Sequence, residues 1–160
     1  MKLLDANILL YAYDSDSSHH AACRFWLEAA FNSEEIVALP WQTLLAFLRI
    51  STNSRATRRP LQSAEACNLI SSWLSQANVS VIGAGERFWE LLQDQVREAQ
   101  TTGPLVTDAA LAALALEHGS EANVPLARAI LGGLLAGEPA TLFVLPALFS
   151  PMVPDEKKTS

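Results

Sequence analysis

Two four-residue runs, Ile36-Val37-Ala38-Leu39 and Val79-Ser80-Val81-Ile82, are uncharged and rich in β-branched residues, and a long stretch of helical periodicity separates them. Hairpin partners are joined by a few residues, whereas parallel neighbours need a crossover of a dozen or more, usually a helix. A third short run, Leu3-Leu4, precedes the polar Asp5-Ala6-Asn7. Strands separated by helices predict an α/β fold: a three-layer α/β/α sandwich around a central parallel sheet.

The segments between follow that plan. Ile8 to Tyr13 is apolar, and Asp14 to Ser18 is turn chemistry. Ser18 is placed to cap a helix from His19 to about Phe31, with Ala22, Phe25, Trp26 and Ala29 along one face. Pro40 sits where helices begin, ahead of helical spacing from Trp41 to Arg49. Ser51 to Pro60 reads as a loop. Ser63 opens a helix with Leu69, Ile70, Trp73 and Leu74 inward, and Glu86 to Ala99 carries Phe88, Leu91, Leu92 and Val96. Leu105-Val106-Thr107-Asp108 leads into an Ala-rich helix, Ala109 to Glu117, closed by His118-Gly119. The four tryptophans fall on apolar stripes and read as core or dimer-interface residues. Cys23 and Cys67, within helices, read as buried small hydrophobes.

The chain has 160 residues, 50% hydrophobic and 18% charged, which is too apolar for a disordered polymer and the size of one domain. Residues 1–154 are expected to form that domain, with 155–160 a charged tail. Acids outnumber bases 17 to 11, for a net charge of −6, which argues against a polybasic nucleic-acid binder. An RNA enzyme stays open, because a divalent cation supplies the positive charge that phosphate needs. Two cysteines make no disulfide framework and point to a reducing cytoplasm. No secretory leader and no membrane span is read. From Ser120 to Pro154 only Glu121, Arg128 and Glu138 are charged, three of 35 residues, and Gly132-Gly133 breaks the pattern. Thr141 to Leu145 reads as a strand.

In parallel sheets the functional crevice lies at the carboxyl ends of the strands. Asp5 follows the first strand, and Asp108 sits where Val106-Thr107 meets a helix. Carboxylates gathered there repel unless a cation lies between them, and Mg²⁺ accepts one or two carboxylates plus water and phosphate. Such an ion can activate water for attack on a phosphodiester. The structural alternatives are a helix N-cap for Asp108 and an Asx turn for Asp5. Arg49, Arg55, Arg58 and Arg59 are four of eight arginines, within eleven residues, and suit phosphate; a solvated loop is the alternative. His19 and His20 are adjacent, so they face different ways and read as a half-buried helix start. His118 has a structural place at a helix C-terminus.

Met1-Lys2-Leu3-Leu4-Asp5-Ala6-Asn7-Ile8-Leu9-Leu10-Tyr11-Ala12 resembles the opening of PIN-domain proteins of the VapC toxin group. The likeness continues through His19-His20 with Trp26-Leu27, the block from Leu39 to Asn53, and Leu105 to Ala115 with Glu117-His118-Gly119. It covers residues 1 to about 119. The resemblance implies a Mg²⁺- or Mn²⁺-dependent endoribonuclease toxin of a type II toxin–antitoxin pair, held inactive by a VapB-like antitoxin and often dimeric. It assigns Asp5 and Asp108 as metal carboxylates, with Asn7 and Thr107 orienting them. Many relatives carry a glutamate in the helix after the second strand. Gln42 and Ala46 occupy the candidate places here, and Gln42 could hold a metal-bound water.

After Gly119 the family's Thr-Asp-x-Asp-Phe-like ending is missing. The abrupt loss of charge suggests a coding frameshift near residues 120–125, which the gene's nucleotide sequence tests. Two further readings stand beside the nuclease. One is a degenerate PIN scaffold that binds an antitoxin without cleaving RNA. The other is an unrelated α/β hydrolase, disfavoured because no nucleophile elbow, Walker loop or dinucleotide fingerprint is present.

Overall fold

In the computed structural model, residues 1–103 and 105–119 are described, and the chain divides into two compact units, Met1–Gly83 and Ala84–Ser160. The first unit is built on strand β2 (Val37–Pro40), whose four residues are all buried. β2 is the middle of a parallel sheet, between β1 (Lys2–Leu3) and β3 (Val79–Ile82). Lys2 pairs with Val37, and Val37 to Pro40 pair in register with Val79 to Ile82. A strand covered on both faces has no use for alternating polarity, which is why it appears as a continuous apolar run.

Helices α1 (Ala6–Tyr13), α2 (His20–Phe31), α3 (Trp41–Ser51) and α4 (Ser63–Leu74) complete this unit. Leu4, Leu9, Cys23, Leu39, Leu44 and Phe47 are fully or almost fully buried. Phe47 and Trp73 meet edge-on with ring centroids 4.7 Å apart, and the Trp73 indole N–H donates to the Tyr13 hydroxyl at 3.1 Å. That cluster ties α1, α3 and α4 together while satisfying the one polar atom of the indole. Lys2 pairs with Glu35 at 3.1 Å and lies over the Trp26 ring.

Several local readings change. Ser18 does not cap α2: the Ser17 hydroxyl accepts from His19 N–H at 3.1 Å, and the helix starts at His20 without a side-chain cap. His19 and His20 are half-buried at that helix start, with the His20 ring nitrogen 3.2 Å from the Tyr11 carbonyl. Cys67 is exposed, because it lies on the solvent side of α4, where Ala66 and Trp73 are the buried residues. Trp41 and Trp89 are exposed, whereas Trp73 is core. Thr141–Leu145 and the tail after Gly119 fall outside the described residues.

In the second unit, α5 (Phe88–Ala99) packs with α6 (Leu105–His118). Two residues in the connection have left-handed backbone, Gln100 at φ 49° and Gly103 at φ 60°; the second suits a residue without Cβ. No side chain of the helix's own entry caps α5. The Glu117 carboxylate does so instead, accepting from Gly85 N–H at 2.8 Å and Arg87 N–H at 2.9 Å. Among the described residues no helix is long and apolar enough to cross a membrane.

One side chain outside any element holds the first unit's entry to β2. The Asn78 amide nitrogen donates to the carbonyls of Ala30 at 2.9 Å, Ser33 at 2.9 Å and Glu35 at 3.1 Å. Asn78→Ala leaves those acceptors unmatched and is expected to cost about 1–3 kcal/mol in urea unfolding. Asn78→Asp should cost more, since it sets carboxylate oxygens against three carbonyls. An Asn78→Asp variant as stable as wild type would show that the amide contributes only its volume.

Candidate catalytic site

Parallel pairing brings the carboxyl ends of β1, β2 and β3 to one edge of the sheet, so the residues that follow each strand share that edge. After β1 the chain runs through fully buried Leu4 to Asp5. Asp5 keeps extended backbone (φ −86°, ψ 154°) as the N-cap of α1, and its carboxylate accepts from Ala6 N–H at 2.6 Å. The Asn7 side-chain amide donates to the other oxygen at 2.8 Å. Both oxygens are thus fixed by groups that follow immediately in the chain.

Burial is the dominant influence on this carboxyl and raises its pKa; the hydrogen bonds from Ala6 and Asn7 oppose that rise without cancelling it. Its charge is only partly compensated by neutral donors, a condition that a nearby cation relieves.

β2 passes directly into α3, and the Thr43 hydroxyl donates to the Leu4 carbonyl at 2.9 Å, a buried bond. This bond clamps the start of α3 against the end of β1, one residue before Asp5. Gln42 sits in that same first turn, half-buried, and its Nε2 is buried without a hydrogen-bond partner among the described residues. Ala46, one turn on, presents only a half-buried methyl. After β3 comes Gly83, where an added Cβ would lie 3.8 Å from Trp41 Cδ1.

Asp108 lies in the second unit. The expected strand-to-helix junction is not there: α6 already starts at Leu105, because the Leu-Val-Thr run continues the Ala-rich periodicity. Asp108 is therefore a half-buried residue inside the helix's first turn, not an N-cap, where a negative charge meets the positive helix end. Thr107 beside it is exposed. Asp5 and Asn7 are the predicted site residues brought into direct contact.

The four arginines are all exposed. Arg49 ends α3, and Arg55, Arg58 and Arg59 stand on the following loop. Turn bonds shape that loop: Arg55 N–H donates to the Asn53 side chain at 2.9 Å, and Leu61 N–H to the Ser51 carbonyl at 2.8 Å. Arg59 reaches Asp16 only at 3.9 Å.

Among the described residues no group of three or more His, Cys, Asp or Glu side chains could hold a metal ion. The donors that the predicted site does offer are hard oxygens, from carboxylates and side-chain amides. A desolvated carboxylate with a hydrogen-bonded rotamer fits a cation such as Mg²⁺, which keeps most of its waters. A cavity of about 250 Å³ lies elsewhere, lined by residues including Tyr13, Arg24, Glu28 and Trp73, toward the far end of α1 from Asp5.

Comparison with known proteins identifies the family. The PIN domain family model matches residues 2–122. The chain is 36% identical over 118 residues to Ribonuclease VapC37 of Mycobacterium tuberculosis, covering 74% of this chain and 82% of the relative. It is 33% identical over 121 residues to Ribonuclease VapC33 of the same organism, 76% and 85% of the two chains. With Ribonuclease VapC31 the identity is 34% over 118 residues, 74% and 83%.

The raised Asp5 pKa has a sign that can be measured. The folded carboxyl keeps its proton to higher pH than the unfolded one, so folding is penalised as pH rises through that window and above it. Asp5→Asn is expected to melt at a higher temperature than wild type at pH 7 in the absence of divalent ions. The difference should shrink as pH falls into the ordinary carboxylate range. A variant less stable at every pH would contradict the desolvation account.

Proposed function

This chain belongs to the PIN-domain family, in its VapC branch, and from that premise we propose that it is a divalent-cation-dependent endoribonuclease toxin that hydrolyses RNA phosphodiesters and is restrained by a VapB-like antitoxin. Asp5 supports the reading best: a desolvated carboxylate, held by two donors, at the carboxyl edge of a parallel sheet. In this reading Asp5 and Asp108 are the carboxylates that would hold Mg²⁺ or Mn²⁺. The ion supplies the positive charge and Lewis acidity that an RNA phosphate requires.

The chain's own groups have separable tasks. Asn7 fixes the Asp5 rotamer through its 2.8 Å bond. Gln42, with an uncommitted amide N–H, is available to hold a water or a phosphate oxygen. Thr107 is assigned a supporting place next to Asp108. Arg49, Arg55, Arg58 and Arg59 face solvent on one segment and would pair with the RNA backbone, a locally positive stretch on a chain of net charge −6. Exposed Trp41 and Leu45, one turn apart on α3, favour association as a homodimer. Two free thiols fit the reducing cytoplasm.

Two variants test this assignment. Asp5→Asn should reduce Mg²⁺-dependent cleavage of a structured RNA to background, and unchanged cleavage would remove Asp5 from the mechanism. Ala46→Glu restores an acid one turn from Gln42. It should lower the Mg²⁺ concentration for half-maximal cleavage by about tenfold, the usual scale for a carboxylate added to a site with few charges. No shift in that midpoint would place position 46 outside the site.

A further inference from the structure

We infer that Glu117 is a positioning residue: its carboxylate bridge to the Gly85–Arg87 backbone sets the register of α6 and thereby the placement of Asp108. The inference rests on the reading of Asp108 as a cation ligand. Glu117 is in the last turn of α6 and Asp108 in the first, about 13 Å apart along the axis at 1.5 Å per residue. A hydrogen-bonded helix of that length moves as a rod, so fixing one end fixes the other.

The packing of α6 makes such a fixture necessary. Its buried side chains are Ala109, Leu111, Ala112, Ala113 and Leu114. Alanine methyls are buried favourably but interlock weakly, and apolar burial is non-directional, so it resists sliding or rotation poorly. The bonds from Gly85 and Arg87, at 2.8 and 2.9 Å, are directional, and the Glu117 side chain is only 10% exposed. The same carboxylate supplies the N-terminal cap that α5 lacks. A Cβ at Gly85 would lie 2.7 Å from Glu117 Oε1, so a side chain there pushes the carboxylate away from the two amides.

The experiment follows the Asp108 carboxyl by ¹³C NMR in the full chain while Mg²⁺ is titrated. Mn²⁺ affinity is measured in parallel by electron paramagnetic resonance. In Glu117→Ala the metal-free Asp108 signal should move, and both ions should bind about tenfold more weakly, as when a group supporting a ligand is removed. Glu117→Gln keeps one acceptor for two amides and should fall between. Gly85→Ala displaces the carboxylate from the other side and serves as the test if Glu117→Ala does not fold. Because the single changes break one contact, the double variant should be no worse than the more severe of them. An unmoved Asp108 signal, or affinities within about twofold of wild type, overturns the inference. If Mg²⁺ leaves the wild-type Asp108 signal unchanged, the assignment of Asp108 as a ligand fails. The metal-free shift in Glu117→Ala still decides whether the bridge positions the helix.

Discussion

Strand β2 is hydrogen-bonded on both edges and buried at all four positions, and the first unit is arranged around it. Parallel pairing on both sides brings three strand ends out together. Asp5, Gln42 and Gly83 are therefore neighbours in topology although far apart in sequence. The Thr43–Leu4 bond converts that topological nearness into a fixed junction of β1 and α3. Loss of the β2 ladder would leave Asp5 with its local hydrogen bonds but without the sheet edge that positions it.

The chemistry of the edge is sparse. In the proposed reading a single carboxylate of the first unit, Asp5, serves the site, and the two candidate places on α3, Gln42 and Ala46, carry no acid. Burial makes the Asp5 charge unfavourable by itself, so the same residue is a liability to the folded protein and an attraction for a cation. Under the proposed function, stability and activity would pull in opposite directions at this side chain. The exposed arginines place positive charge on a different segment, so the proposed RNA contacts are separate from the proposed metal carboxylates.

Much of this was legible in the sequence. Val79–Ile82 emerges as β3 with the expected ends, although Ser80 and Val81 are exposed, and β2, whose four residues are all buried, is displaced by a single residue. The place of Asp5 followed from its position after a strand. Asp108 was misplaced locally because Leu-Val-Thr has strand propensity, which the Ala-rich helical register overrides. Cys67 was misjudged because alanine neighbours do not reveal which face of a helix is covered. Asn78, Thr43 and Glu117 gave no periodic signal; their importance depends on tertiary partners 30 to 48 residues away. The hints for Glu117 were its place in the family-like Glu117-His118-Gly119 block and a Gly-x-Gly segment at Gly83–Gly85, which allows close approach.

The bridge between Gly85 and Glu117 also restricts how this sequence can drift. A side chain at position 85 displaces the glutamate carboxylate, and α5 then needs a replacement cap from its own first residues. Drift at one position therefore alters the constraint on the other. A new Ser, Thr or Asp at the entry to α5 would take over the capping and loosen that coupling.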